Sequence, residues 1–136
     1  MSEVKQVIVF RHDLLKTLRK GKIAAQVAHA SICALLKVFN KVAENNTTKY
    51  TVEFNDDSVL GKWLNGIFTK ICLMVEDEKG LLELYEKIKS ESDIPCALIT
   101  DVGNTEFHGQ ATNTCIGIGP YWSEEIDKYT KNLKLF

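Results

Sequence analysis

The stretch Lys5-Gln6-Val7-Ile8-Val9-Phe10-Arg11 decides the fold class. Four consecutive apolar residues, three of them β-branched, leave no polar face for solvent. A half-exposed strand alternates, so this run suits a strand covered on both sides. Working outward, three more short apolar runs supply its neighbours: Thr69–Glu76, Cys96–Thr100 and Thr114–Gly119. Helical patterns lie between them. From about Lys22 to Ala43, Ile23, Val27, Leu35, Phe39 and Val42 recur at spacings near three or four, or multiples of them. Ala24, Ala25, Ala28, Ala30 and Ala34 make one side of this helix thin. Asp77 is placed to cap a second helix to about Ser92, with Leu81, Leu84, Tyr85 and Ile88 as its buried stripe. Ser123 is placed to cap a third helix to about Tyr129. The alternation predicts an α/β fold: a three-layer α/β/α domain around a mostly parallel sheet of four strands.

Residues 44–66 are the least regular. Asn45–Thr48 and Asn55–Ser58 are turn-like, residues 49–54 could add a short strand, and Leu60–Leu64 could form a helical turn. Trp63 and Leu64 call for burial, so this stretch reads as an irregular insertion within a single domain spanning 1–136. Hydrophobic residues make up 45% of the chain and charged residues 26%, an ordinary globular balance. The apolar segment near the N-terminus is too short for a signal-peptide core or a membrane span, so a cytoplasmic location is expected and no membrane partner. Cys33, Cys72, Cys96 and Cys115 each sit inside an apolar run without a Cys-x-x-Cys pair, which predicts buried thiols in a reducing compartment. His12, His29 and His108 lack metal-ligand spacing.

A net charge of -1 argues against a nucleic-acid binder until the chain is divided. Residues 1–41 hold eight basic and two acidic residues; the remainder hold nine and sixteen. Phosphate binding depends on a local patch rather than on the total. Lys16, Arg19, Lys20 and Lys22 fall close together with no acid among them, and they precede the long helix. A helix N-terminus with a nearby glycine offers free N–H groups to an anion. A second candidate loop follows the third strand and begins Asp101-Val102-Gly103-Asn104-Thr105. Ligand sites in such sheets lie beyond the carboxyl ends of the strands, where both loops fall. The glycine–lysine–Ser/Thr pattern of a phosphate-binding P-loop is absent.

Several motifs, in order, carry a resemblance. Gly21-Lys22-Ile23-Ala24-Ala25-Gln26-Val27-Ala28-His29-Ala30 closely resembles the signature helix of type-2 peptidyl-tRNA hydrolases. Asp101-Val102-Gly103-Asn104-Thr105 is similar to that family's Asp-Ala-Gly-x-Thr loop. Ile118-Gly119-Pro120, Ser123–Lys128 and Leu133-Lys134-Leu135 resemble its closing segment. The resemblance implies a mixed four-stranded sheet with helices on both faces, its fourth strand antiparallel, in a protein that is often a homodimer. It implies hydrolysis of peptidyl-tRNA with no metal and no organic cofactor. The catalytic residues it assigns are Lys22, Asp101, Thr105 and Thr114, with Thr112 a near neighbour of the last. Gln26 and His29 match helix residues facing the same cleft.

An ester hydrolase needs a positioned water, a proton acceptor and stabilisation of the oxyanion. Asp101 would orient or deprotonate the water. Lys22 would polarise the carbonyl or grip the terminal nucleotide's phosphate. Thr105 and Thr114 would offer hydroxyls to the water or the ribose, and Arg19 and Lys20 would meet acceptor-stem phosphates. Two other classes fit the same residues. One is a non-catalytic RNA- or protein-binding module on the same fold, and the other is a hydrolase of a different acylated tRNA.

Overall fold

The computed structural model describes residues 3–103 and 107–136. Strand β1 (Val4–Arg11) is the run that decided the fold class, and Val7, Ile8, Val9 and Phe10 are all fully buried. Their side chains alternate between two cores, as the two-residue period of a strand requires. Val7 and Val9 pack with Leu81, Ile88 and Ile126, while Ile8 and Phe10 pack with Ala30, Ile99 and Cys115.

After β1 come a short helix α1 (His12–Leu15) and the long helix α2 (Lys20–Leu36). A hairpin follows, β2 (Asn40–Glu44) and β3 (Thr47–Thr51), then α3 (Val59–Leu64). The chain continues through β4 (Lys70–Val75), α4 (Glu78–Glu91), β5 (Cys96–Asp101), β6 (Thr112–Trp122), α5 (Ser123–Thr130) and β7 (Lys134–Leu135).

The main sheet has the order β5-β6-β1-β4-β7. It has five strands where four were expected. The added strand is the terminal tail, whose Leu135 pairs with Leu73 and whose Phe136 ring lies 5.9 Å from that of Phe10. The sheet is also less parallel than the alternation of elements suggested. Among the described residues only β1 and β4 pair in parallel; β1–β6, β5–β6 and β4–β7 are antiparallel. No described helix separates β5 from β6, so β6 returns beside β5 in the opposite sense. The three-layer, four-stranded plan thus holds only in its coarser form, a mixed α/β fold, with a separate two-stranded sheet outside it.

Helix α2 stops at Leu36, well before the expected end near Ala43. Apolar residues at 38, 39 and 42 mimic helical spacing, but turn chemistry decides otherwise. Asn45 and Asn46 both hold positive φ (50° and 61°), the requirement of a tight two-residue hairpin turn, and they set Glu44 opposite Thr47. The alanines of α2 divide. Ala30 and Ala34 are buried against β6, where Gly117 has no Cβ to obstruct the Ala30 carbonyl, whereas Ala24, Ala25 and Ala28 face outward. Asp77 caps α4 by accepting from the Gly80 N–H at 3.0 Å. Ser123 does not cap α5: it is the helix's first residue, and Trp122 at the cap makes no side-chain bond there.

Candidate active site

Strands β1, β4 and β5 all end on the same side of the sheet, where α2 and β6 begin. Lys22 and Gln26 stand one turn apart on α2 and so share a face. Asp101 is the last residue of β5. Thr114 is the extra residue of a bulge: Ile99 pairs with Cys115 and Thr100 with Asn113, leaving Thr114 unmatched on β6. These four side chains form one chain of hydrogen bonds. Lys22 Nζ donates to Asp101 Oδ1 at 2.9 Å, and Gln26 Nε2 donates to the same oxygen at 3.2 Å. Thr114 Oγ1 donates to Gln26 Oε1 at 2.7 Å. The Gly103 N–H donates to Asp101 Oδ2 at 3.0 Å.

The Gln26 amide is thereby oriented by both of its ends, nitrogen on the carboxylate and oxygen on the hydroxyl. Gln26 and Thr114 are buried, and the Lys22 and Asp101 side chains are each only 12% exposed. Burial works to raise the Asp101 pKa. The Lys22 hydrogen bond, the Gly103 N–H, the Lys22 charge and the Gln26 amide outweigh it and hold the carboxyl below its ordinary value. Oδ1 therefore has two donors and Oδ2 one among the described residues. A carboxylate oxygen accepts about two hydrogen bonds, so one direction on Oδ2 remains for a further donor.

In the sequence Gly103 stands only as part of the Asp101–Thr105 motif. Its φ of +88° and the backbone of Gln110, 2.5 Å from where a Cβ would stand, admit glycine alone. Phe107 was missed; the Lys22 ammonium lies 5.7 Å from the centre of its ring. Arg11 was missed too. It donates to the Asn113 carbonyl at 2.9 Å and pairs with Asp13 at 2.7 Å, tying the end of β1 to the start of β6. A charged residue directly closing a buried strand was the available signal.

The family model described as "Peptidyl-tRNA hydrolase PTH2" matches residues 4–136. The chain belongs to the PTH2 peptidyl-tRNA hydrolase family. Similar relatives include a protein named peptidyl-tRNA hydrolase from Methanococcus maripaludis strain C7, 39% identical over 131 residues, covering 96% of this chain and 97% of that one. A relative of the same name from Sulfurisphaera tokodaii is 41% identical over 131 residues with the same coverage. A solved structure of a protein of unknown function from Agrobacterium tumefaciens strain C58 is alike in fold, with a TM-score of 0.54 at 12% identity, covering 100% of this chain and 99% of that one.

In this PTH2 chain, the resemblance-assigned residues separate. Lys22, Gln26, Asp101 and Thr114 meet. Arg19, at the cap of α2, and Lys20, its first residue, are exposed at the same end of the helix. His29 is exposed and makes no hydrogen bond or ion pair with the four among the described residues. Thr105 lies outside the described residues. No group of three or more His, Cys, Asp or Glu among the described residues is placed to hold a metal ion. No described helix is long and apolar enough to cross a membrane.

Proposed function

We propose that this chain hydrolyses the ester joining a peptide to the 3′ end of tRNA, with Lys22 and Asp101 at the reacting centre. The observation that carries the reading is their ion pair at the strand ends: an ionised carboxylate beside a lysine ammonium, with one acceptor direction of Oδ2 not taken among the described residues. Water donates to the open direction of Asp101 Oδ2 and is aimed at the ester carbonyl. A carboxyl held below its ordinary pKa is a weak base, so its main contribution is orientation. As the water oxygen bonds to the carbonyl carbon, negative charge develops on the carbonyl oxygen, and the Lys22 ammonium stabilises it. The bond to the ribose oxygen then breaks. The ribose oxygen takes one proton of the attacking water and the other passes to solvent, leaving free tRNA and a peptide carboxylate.

Gln26 and Thr114 act as positioning residues, because both are buried and bonded to the carboxylate or to each other. Arg19, Lys20 and the N–H groups opening α2 favour phosphate. His29, exposed two turns along α2 from Lys22, meets the same RNA. Thr105 keeps the catalytic role that the resemblance implies.

The deciding experiment is turnover of purified N-blocked aminoacyl-tRNA. Lys22→Ala and Asp101→Asn should each lose about 100-fold or more in kcat. Affinity for uncharged tRNA should change by no more than a few-fold. Full turnover by Asp101→Asn would refute the assignment.

A further inference from the structure

The β2–β3 hairpin stands apart from the main sheet, and every residue of both strands is exposed. Beside it lies a cavity of about 370 Å³, large enough for a small ligand. Lys41 and Tyr50 of the hairpin line it, with Lys37 at the end of α2, Tyr85 of α4 and Leu98 of the edge strand β5. No Asp or Glu lines it among the described residues. The Lys41 ammonium is 5.8 Å from the Tyr50 ring centre, and Lys89 is 5.1 Å from that of Tyr85. Cations set beside accessible aromatic rings, with no acid between them, suit a ligand that is both anionic and flat-ringed. A nucleotide chain has that chemistry, with phosphates for the lysines and bases for the rings.

The charge pattern joins this groove to the active site. No Asp or Glu occurs between Asp13 and Glu44, a stretch that holds Lys16, Arg19, Lys20, Lys22, Lys37 and Lys41. Helix α2 therefore carries no acid, and its basic residues stand at its two ends, Lys20 and Lys22 at one and Lys37 just past the other. Lys22 and Lys37 lie fifteen residues apart, which is ~22 Å at 1.5 Å per helical residue. The terminal nucleotide cannot bridge that gap, but the acceptor arm of one tRNA can.

The geometry points to the Lys37–Lys41–Tyr50–Tyr85 groove as a second RNA site, holding backbone phosphates and a base of the acceptor arm of the tRNA whose ester sits at Lys22. This rests on the hydrolase reading above. The groove contributes affinity for the full tRNA and does not touch the reacting atoms.

The test compares two substrates: full-length N-blocked aminoacyl-tRNA, and the same aminoacyl ester on a short 3′-terminal oligonucleotide that ends before the groove. For the double variant Lys37→Glu/Lys41→Glu, KM for the full-length substrate should rise about tenfold or more with kcat unchanged. The short substrate should be turned over as by wild type. The plot of log kcat/KM against log salt should flatten by about 2, near one unit per lost phosphate contact. Tyr50→Ala should raise the full-length KM about fivefold or more and leave the salt slope unchanged. Unchanged kinetics on both substrates, or equal loss on both, would overturn the assignment. So would a change in sedimentation from dimer to monomer in the variants, which would make this face a contact between copies. If wild type turns over neither substrate, the hydrolase reading fails, and affinity for uncharged tRNA tests the groove by itself. Weaker binding by the double variant then supports it, and equal binding overturns it.

Discussion

Thr114→Val is the sharpest probe of the site, because it removes one hydroxyl and almost no volume. Thr114 is fully buried, and its hydroxyl donates to Gln26 Oε1 at 2.7 Å. No buried side-chain nitrogen or oxygen among the described residues lacks a partner. Valine would leave the Gln26 carbonyl buried and unpaired, at a cost of about 1–3 kcal/mol. For a chain of this size that lowers Tm by roughly 3–5 °C per kcal/mol. The rate should suffer as well. A Gln26 amide free to turn no longer holds its nitrogen on Asp101 Oδ1, and kcat should fall roughly tenfold to a hundredfold with KM nearly constant.

Two controls separate positioning from direct contact with substrate. Thr114→Ser keeps the donor and loses one methyl group, so it should keep most of the rate and lose about 1 kcal/mol. In the double variant Gln26→Leu/Thr114→Val both polar partners become apolar. It should recover stability relative to Thr114→Val but not activity. The assays are urea unfolding and turnover of N-blocked aminoacyl-tRNA on the same preparations. The reasoning is refuted if Thr114→Ser is as slow as Thr114→Val, or if Thr114→Val keeps the wild-type rate.

Three further outcomes follow from the same geometry. The native Asp101 pKa lies below its unfolded value, so the stabilisation it brings is present above the ordinary carboxylate range and is lost as pH falls through the native value. Urea unfolding should show wild-type stability falling below about pH 4, and Asp101→Asn should lose that part of the slope. Burial pushes the Cys96 and Cys115 thiols up to about 12, whereas Cys33 is exposed. A thiol reagent at neutral pH should therefore label Cys33 in the native protein and reach Cys96 and Cys115 only in denaturant. Gly117→Ala should cost about 1–3 kcal/mol or more in denaturant unfolding, because the new methyl meets the Ala30 carbonyl where α2 crosses β6.

Legibility in the sequence depended on how local the cause was. Strand β1 could be read because an apolar run without alternation has few other meanings. The cap at Asp77 could be read because its hydrogen bond spans three residues. The end of α2 could not, since residues 38–42 fit either a helix or a strand and the two asparagines beyond decide. Strand β7 was hidden because two residues carry no period. In the site, Lys22 and Asp101 were named through motifs. The bond from Thr114 to Gln26 crosses 88 positions and depends on a bulge, which no local pattern encodes. The thin side of α2 was half legible: alanine content announced close packing but not which alanines would do it.

Among the described residues, Arg11 with its two acids Asp13 and Glu78, and Lys22 with Asp101, form ion pairs at the carboxyl end of the sheet, and stability accounts only for the Arg11 set. Arg11 pairs with Asp13, which is 44% exposed, and also donates to the Asn113 carbonyl, so the pair stays in contact with water while fastening two strand ends. Lys22 and Asp101 are both largely withdrawn from solvent. Removing two charges from water costs several kcal/mol each, and an apolar pair of similar volume in such a place is often as stable or more so. Nor is the pair needed to anchor α2, which is already held where Ala30 and Ala34 pack onto β6. The Lys22 hydrogen bond, with the Gly103 N–H, the Lys22 charge and the Gln26 amide behind it, nevertheless outweighs burial and holds the Asp101 carboxyl below its ordinary pKa. An ionised carboxylate largely withdrawn from solvent beside a lysine ammonium is what the proposed function requires of a group that orients water at an ester.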